Sequence, residues 1–575
     1  MMTQFVDLPP EILELLFDYL TDPKDICNIS EACKRFKEVI DTSDKLTKKL
    51  TLYVNYPSFL HNFKAVLKKS NRRYKNLSVT RSRLTGSENQ FTSLINAFEL
   101  IGPKIRNLTI NWCQLRNLDI STANLVDIAA RRRLRAELLF AQNVSVGRHQ
   151  GAQGVIREDI RDELHKEFIA IIKYFNCLET TIWNNVNIEK RTNPIDLASF
   201  DFTSLKQLKM RHCDAYCFDI LSSAKQLNSL KISEPFWSTN RSPGIDNFET
   251  YLISQEVLKT LSIKSIHYPR LFHSDRSERI QFKLNYLVLK NVFFKEKLHA
   301  ENFFKTQKEL KFIDIQIQNE KSRNLEELHW YNDILKTVLK ENPMLRTLNL
   351  DKFKYKIPNC DFLRNITNAN VQTLNFNVTN EEKDAELFKV LVRSLPNLKN
   401  ITYKSEDSED NDGDVCFDKG TILDKVKALI IINASVKSLI NVHAENLHTF
   451  EYSPKLNGSF IDDYIGGFLH RHRTIKELKI GNSTGRSYFF VSYNLCQLIV
   501  NFLNQLESIT IYNFAEVNKS VKLLCNLRNL NTLTLSSLQY QQFTAKTKVE
   551  CERMKLRLIP IEMNQPQDFH EYSDC

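Results

Sequence analysis

Few residues of this chain have the types and spacing that chemistry requires. Cys213 and Cys217 stand four positions apart with His212 beside them, and thiolates and imidazoles are common zinc ligands. A structural zinc site needs a second pair of ligands, and no such pair follows. The spacing therefore favours buried structural thiols, and we expect no metal site.

Catalytic motifs are missing as well. The sequence has no phosphate-binding GxxxxGKS/T loop, no GxSxG elbow, no HExxH pair and no EF-hand loop. His470 and His472 flank Arg471 near the expected end of a helix, where a cationic side chain offsets the helix dipole. A catalytic thiol among the 12 cysteines stays open as an alternative, because spacing alone reveals no Cys/His/acid arrangement. We expect a protein without catalytic residues and without a cofactor.

The composition is typical of globular material. The chain has 575 residues, 42% hydrophobic and 26% charged, and no apolar run approaches the ~20 residues of a membrane-spanning helix. The first residues lack the basic and apolar regions of a signal peptide, and the scattered cysteines are typical of a reducing compartment. The net charge of +11 is mild over this length and does not require nucleic acid. We expect a cytoplasmic or nuclear protein without membrane contact.

The first fifty residues predict three short helices with more apolar surface than they can bury among themselves. The first helix carries two apolar stripes, one formed by Leu13 and Phe17 and the other by Ile12, Leu15, Leu16, Tyr19 and Leu20. Ser30 is positioned to cap the third helix. Three helices over ~45 residues enclose little core, so one stripe needs a further surface. That surface is either the rest of this chain or an external partner.

Short motifs run through this segment in a fixed order. They are Leu8-Pro9, Glu11-Ile12-Leu13, Leu16-Phe17, Tyr19-Leu20, Asp22-Pro23-Lys24-Asp25 and Cys33-Lys34-Arg35-Phe36. In this order and spacing the segment resembles the F-box. The resemblance implies docking on the Skp adaptor of a cullin-RING ubiquitin ligase, with apolar side chains of a helix in a groove. The adaptor-binding residues that it implies are Leu8, Pro9, Ile12, Leu13, Leu16, Phe17 and Leu20.

A second pattern begins near residue 70 and recurs to about residue 540. Each copy has an apolar residue, two variable ones, an apolar one, a variable one and another apolar one. The clear copies are centred on Leu108, Leu208, Leu230, Leu261, Leu287, Ile313, Leu348, Leu374, Ile401, Leu429, Leu478, Ile509 and Leu533. Most successive copies lie roughly 22–35 residues apart, which is typical of leucine-rich repeats. The expected fold class is α/β: a short N-terminal three-helix F-box, then a leucine-rich-repeat solenoid, a horseshoe with parallel strands inside and helices outside.

Two segments interrupt the repeats. Residues 129–154 combine an arginine run with alanines and glycines but contain no lysine. They are a basic insert for an acidic partner, a regulatory loop, or a disordered insertion or mispredicted coding segment, and the composition favours the last of these interpretations. Residues 405–414 predict an acidic, solvated loop. We therefore place the F-box at 1–50, the solenoid at 51–545 and a C-terminal tail at 546–575.

The variable positions of the repeats predict where a ligand would bind. Apolar positions of each strand point into the core, so the residues between them line the opposite, concave face. In the early repeats this lining carries the cations Lys209, Arg211, Lys231, Lys264 and Lys290. An acidic or phosphorylated segment of a protein substrate would suit such a row of cations. The alternative is an ordinary solvated, charged surface.

Together these features predict the substrate-recognition subunit of a Skp-cullin-F-box ubiquitin ligase. The F-box would bind the Skp adaptor, and through it the cullin and RING subunits, while the repeats hold a protein substrate for ubiquitination. A non-catalytic adaptor of this kind acts by proximity. The alternative is a repeat scaffold without a role in degradation. A nucleic-acid-binding solenoid ranks last, since only Tyr286 and Phe312 add aromatic groups near the cations.

Overall fold

The computed structural model describes most of the chain. The described residues are 8–20, 23–47, 49–56, 63–69, 74–81, 88–112, 166–186, 200–214, 216–235, 243–265, 270–271, 279–294, 296–316, 334–351, 366–378, 382–405, 415–454, 461–481 and 489–561. The insertion expected at 129–154 and nearly all of the acidic loop expected at 405–414 lie outside them. The chain divides into two compact units, Met1–Lys283 with Val292–Glu296 and Leu284–Asn291 with Lys297–Cys575.

Short helices open the described part of the first unit and enclose a small core. They are α1 (Pro10–Asp18), α2 (Pro23–Ala32), α3 (Lys34–Thr42) and the single turn α4 (Asp44–Thr47). Their buried apolar side chains form one cluster of Leu13, Phe17, Ile26, Phe36, Val39, Ile40, Leu46 and Leu50. The rings of Phe17 and Phe36 meet edge to face at 5.3 Å, which is a favoured aromatic geometry. This segment therefore has a core of its own.

Helix α1 has clear start and stop signals. Pro10 occupies its first position, where a missing N–H group is harmless, and Glu11 complements the positive end of the helix dipole. At the other end, the carboxylate of Asp18 lies 2.7 Å from Lys45 Nζ and 2.8 Å from Lys49 Nζ. Hydrogen bonds from Lys45 and then Lys49 lower the pKa of Asp18. These pairs join α1 to α4 and to Lys49 beyond it, and they offset a carboxylate at a helix C-terminus.

The start of α3 corrects one expectation from the sequence. Ser30 lies inside α2 and is buried, so it does not cap the third helix. The N-cap is Cys33, which is extended and accepts a hydrogen bond from the Phe36 N–H through Sγ at 3.4 Å. A thiol is a weak acceptor, and it serves here because Cys33 packs against the core beside Phe36.

Parallel strands at repeat spacing follow in the first unit. They are β1 (Thr51–Tyr56), β2 (Asn76–Arg81), β3 (Asn107–Asn111), β4 (Thr180–Asn184), β5 (Gln207–Arg211), β6 (Ser229–Ser233), β7 (Thr260–Lys264) and the two-residue β8 (Arg270–Leu271). Strands β1 to β7 pair in chain order, each parallel to its neighbour and without a register shift. Burial alternates along β3 to β6, as in β5, where Leu208 and Met210 are buried between exposed neighbours. In β2 and β7 the serine between two buried apolar residues is buried as well.

The same arrangement continues along the chain. The strands are β9 (Tyr286–Lys290), β10 (Phe293–Phe294), β11 (Phe312–Gln316), β12 (Thr347–Asp351), β13 (Thr373–Val378), β14 (Asn400–Ser405), β15 (Thr421–Ile422), β16 (Ala428–Ala434), β17 (Val442–His443), β18 (Thr449–Pro454), β19 (Glu477–Ile480), β20 (Ser508–Ile511), β21 (Thr532–Ser536) and β22 (Arg557–Ile561). Strand β10 belongs to the first unit, where it pairs with β8, and in the second unit β15 pairs with β17. In the second unit the remaining strands form one parallel sheet in chain order.

Helices cover the apolar face of the strands in each unit. They are α5 (Phe63–Lys69), α6 (Glu88–Ile101), α7 (Cys217–Ile220), α8 (Pro243–Ile253), α9 (Lys297–Thr306), α10 (Glu382–Ser394), α11 (Lys437–Asn441), α12 (Ile461–Arg471), α13 (Tyr493–Phe502), α14 (Val517–Leu524), α15 (Ser537–Gln541) and α16 (Ala545–Arg553). Aromatic contacts tie helix to strand, for example Phe388 of α10 with Phe376 of β13 at 5.5 Å and Phe468 of α12 with Phe450 of β18 at 4.3 Å. Within the described residues, every helix is too short or too polar to span a bilayer.

The α/β class with parallel strands is confirmed, and each repeat named from the sequence has its central residue in a strand. Two further strands lack the expected pattern. In β4 a buried threonine, Thr181, replaces the central leucine and donates its hydroxyl to the Leu108 carbonyl at 3.2 Å. In β22 the position paired with Leu535 is Pro560. Because β22 pairs with β21 and α16 precedes it, the sheet continues through Ile561, past the boundary expected at residue 545.

Candidate functional site

Helix α1 presents an apolar stripe that the rest of the described chain leaves partly uncovered. Its members lie at helical positions i, i+3, i+4 and i+7, and therefore share one face. They are Ile12 (43% exposed), Leu15 (52%), Leu16 (37%) and Tyr19 (78%). We call these four residues the α1 stripe. An apolar helix face of this kind is what a hydrophobic groove on a partner recognises.

The residues expected to touch an adaptor divide into two groups. Ile12 and Leu16 belong to the α1 stripe and Pro9 is exposed, so these side chains are accessible. The others are Leu13 and Phe17, which are 0% and 2% exposed within the core, and Leu8 and Leu20, which are partly buried against it. Leu13 and Phe17 therefore hold the helical segment together and present no surface to a partner.

The expected adaptor set also omitted two exposed residues. The sequence places Leu15 and Tyr19 on an apolar stripe, but the resemblance does not include them among the docking residues, although they are the most exposed members of the α1 stripe. Their spacing from Ile12 and Leu16 was the signal available in the sequence. The segment is anchored at its start by Arg35, whose Nη2 donates to the Leu8 carbonyl at 2.9 Å.

The first unit also presents a largely polar sheet face, made of the positions of β1 to β7 that alternate with the buried apolar side chains. We call these residues the polar face: Thr51, Tyr53, Asn55, Asn76, Ser78, Thr80, Asn107, Thr109, Asn111, Thr180, Ile182, Asn184, Gln207, Lys209, Arg211, Ser229, Lys231, Ser233, Thr260, Ser262 and Lys264. Asparagines bridge neighbouring strands, as where Asn184 Nδ2 donates to Asn111 Oδ1 at 2.6 Å. The set contains cations and many amides and hydroxyls, but no carboxylate.

Four of the predicted cations come together on three adjacent strands of this face. Lys209 pairs in register with Lys231, while Arg211 and Lys264 flank Ser233 across β5, β6 and β7. All four cations are exposed. We call Lys209, Arg211, Lys231 and Lys264 the cationic cluster.

One carboxylate reaches the cationic cluster from outside the polar face. Glu234, directly after β6, lies 3.5 Å from Arg211 Nε and 2.6 Å from His212 Nε2 through the same oxygen, Oε2. Among the described residues, Lys209, Lys231 and Lys264 take part in no ion pair. The cluster therefore keeps a positive excess that a ligand could meet.

The fifth predicted cation, Lys290, is differently placed. It lies in β9 of the second unit, where its Nζ is 3.4 Å from Oδ2 of Asp314 on β11. An ion pair across neighbouring strands already compensates its charge. Because it also belongs to the other unit, we leave Lys290 out of the cationic cluster.

The thiols and the histidine singled out in the sequence have structural surroundings. Cys213 Sγ donates to the Trp183 carbonyl at 3.2 Å, and burial raises the pKa of Cys217. Within the described ranges, no three potential metal-ligating side chains gather at one point. His472 is buried after α12, where Nε2 accepts the Ala444 N–H at 2.9 Å and Nδ1 donates to the Phe468 carbonyl at 2.7 Å. Burial lowers the pKa of His472 to about 4, so the neutral ring holds two repeats together.

The helical segment that carries the α1 stripe is similar to a known family. Residues 5–53 match the F-box-like family. The matched range covers α1 to α4 and the start of β1, and F-box-like domains generally bind Skp-type adaptors. The curated proteins contain no match to the chain.

One similar solved structure is the leucine-rich repeat-containing protein LegL7 from Legionella pneumophila. It shares 9% identity with a TM-score of 0.28, and the alignment covers 59% of this chain and 85% of that one. A TM-score this low does not establish a shared fold, and the fold assignment rests on the strand register described above. F-box-like domains and leucine-rich repeats are typically non-catalytic interaction modules.

Proposed function

We propose that this chain is the substrate-recognition subunit of a Skp-cullin-F-box ubiquitin ligase. Its helical segment would bind the Skp adaptor, and through it the cullin and RING subunits, in the cytoplasm or the nucleus. The repeats would hold a protein substrate. The observation that carries the proposal is the α1 stripe, because an F-box-like segment with a core of its own still exposes four apolar side chains on one helix face.

The α1 stripe is large enough to contribute to binding. Fully burying a Leu or Ile side chain is worth about 1.5–3 kcal/mol relative to full exposure. Ile12, Leu15 and Leu16 are 37–52% exposed, so each has roughly 1 kcal/mol left to gain under a partner. Tyr19 is 78% exposed and adds an aromatic side chain of the kind enriched at interface hot spots.

In this proposal the chain accelerates ubiquitin transfer by position alone. A substrate held on the repeats has a high effective concentration near the ubiquitin-conjugating enzyme that the cullin arm carries. No side chain of this chain then needs to take part in bond making or breaking. The second unit and the polar face are both repeat surfaces that could hold such a substrate.

Co-purification of the full chain with the Skp adaptor tests the proposal. The parent should retain the adaptor, and Ile12→Asp/Leu16→Asp should lose it, because two charges would be buried in an apolar contact. Glu11→Gln is a matched control, since Glu11 is exposed on α1 outside the stripe and should leave capture unchanged.

The result separates this function from its alternative. If the folded parent fails to retain the adaptor, the ligase role is wrong and a binding scaffold remains. If the adaptor binds but a captured partner is turned over equally with and without α1 docking, the chain is a scaffold without a role in degradation.

A further inference from the structure

The cationic cluster is a charged surface of the first unit to which the proposed function assigns no specific ligand. Adjacent parallel strands are about 4.8 Å apart and residues two positions apart on a strand are about 6.6 Å apart. By this spacing the Cα atoms of Lys209 and Lys231 are about 4.8 Å apart, and those of Arg211 and Lys264 about 9.6 Å apart. Four long cationic side chains therefore surround an area comparable to one or two phosphate groups.

Two lysines of the second unit show how a neighbouring strand can compensate a cation on this kind of sheet face. Lys290 on β9 pairs with Asp314 on the next strand of the sheet, and Lys479 on β19 lies 2.9 Å from Glu451 on β18. In both cases a carboxylate on the neighbouring strand compensates the lysine. The polar face of the first unit has no carboxylate at any of its positions, and Glu234 reaches only Arg211 within this cluster. Its lysines are thus left for an external anion.

We propose that the cationic cluster binds a phosphorylated segment of a protein. This inference rests on the proposed function, since the segment would belong to the substrate that the repeats hold. A phosphate carries close to two negative charges and several acceptor oxygens, and Lys209 and Lys231 would supply point charges to it. Arg211 would supply a planar fork, with its Nε side held by Glu234.

The surroundings of the cluster favour a peptide over a nucleic acid. Single-stranded nucleic acids stack their bases on aromatic side chains, and β4 to β7 place none on the polar face. The aromatic residue of this face, Tyr53 on β1, is four strands from Lys209. Instead Gln207, Ser229 and Ser233 surround the cations with amide and hydroxyl groups, which suit the backbone of an extended peptide.

A binding experiment on the full chain tests this inference. The probes are a peptide library with a fixed phosphoserine between random residues, the same library with serine, and single-stranded DNA of random sequence. The parent should retain phosphoserine peptides over serine peptides at physiological salt. Lys209→Glu/Lys231→Glu should weaken that retention by about 100-fold, since two attractive contacts become repulsive.

The matched control is Lys206→Glu/Lys225→Glu. It changes the net charge by the same amount on exposed lysines of the same unit that lie outside the polar face. It should retain phosphoserine peptides like the parent. Equal losses in the two variants, no preference of the parent for phosphoserine, or tighter binding of DNA than of phosphopeptide would each overturn the inference.

Adaptor capture, measured in parallel, separates this result from the proposed function. Retained adaptor binding with no phosphopeptide binding sinks only the inference about the cluster. Lost adaptor binding with phosphopeptide binding intact sinks the ligase role and leaves a phosphopeptide-binding repeat protein.

Discussion

Alanine at Leu13 and alanine at Leu16 should have different consequences, because the two side chains lie on different faces of α1. Leu13 is fully buried in the helical core, whereas Leu16 is 37% exposed on the α1 stripe. A buried Leu→Ala change typically costs 2–5 kcal/mol, since the transfer and cavity terms add. A partly exposed leucine loses little packing when truncated, and we expect about 1 kcal/mol or less.

The affinity for the adaptor should fall more in Leu16→Ala than in Leu13→Ala, the opposite of the order expected for stability. Leu16→Ala removes a contact side chain and should weaken adaptor binding by roughly 5- to 30-fold, the effect of 1–2 kcal/mol at an interface. Leu13→Ala leaves the α1 stripe intact. The affinity of its folded fraction should stay within about a factor of three of the parent.

Hydrogen exchange of the α1–α3 amides in the full chain is the suitable stability assay. It measures the free energy of local opening, so the two large repeat units do not obscure the helical segment. Adaptor affinity is measured on the same preparations. Equal acceleration of exchange by Leu16→Ala and Leu13→Ala would show that the two side chains do not lie on different faces of α1. Loss of adaptor binding in Leu13→Ala with unchanged exchange would show the same.

Three further perturbations test the packing of the repeats. Because burial holds the pKa of His472 at about 4 against an ordinary value of 6.5, the unfolded state takes up a proton first as the pH falls. The free energy of unfolding of the second unit should therefore decline between about pH 6.5 and pH 4. In His472→Gln, the melting temperature should depend less on pH over this range. Gly102→Ala would press a Cβ into the Tyr174 carbonyl oxygen, and calorimetry should show a loss of about 1–3 kcal/mol. Arg81→Met leaves Glu167 as an uncompensated carboxylate in the first unit. Denaturant unfolding should show a free energy of unfolding that is lower by about 3–5 kcal/mol and that adding Glu167→Gln partly restores. An unchanged free energy of unfolding would contradict the pairing.

The strands were predictable because their signal is local. Leu208 and Met210 alternate with polar residues, and this alternation alone decides which side chains are buried and which, such as Lys209, are exposed. Strands β4 and β22 depart from this pattern. Thr181 fills a leucine position with a hydroxyl that finds a carbonyl on the neighbouring strand, and that partner is far away in sequence. Pro560 joins the sheet at its last described strand, where the missing N–H group faces no further strand.

The candidate site was only partly predictable. Two apolar stripes on α1 are visible in the sequence, but which stripe faces inward depends on where α2 and α3 pack. The structure places Leu13 and Phe17 inside and leaves the α1 stripe exposed. In the same way, the type and position of Lys290 matched those of the other cations, whereas its pairing with Asp314 depends on the strand order of the folded sheet.

The decisive measurement is the equilibrium affinity of the full chain for the purified Skp adaptor. We expect a stable one-to-one complex whose affinity falls by at least about 100-fold in Ile12→Asp/Leu16→Asp, while Glu11→Gln binds like the parent. Circular dichroism of each preparation shows that the compared proteins are folded. A folded parent that does not bind the adaptor, or a double variant that binds it as tightly as the parent, would contradict the account.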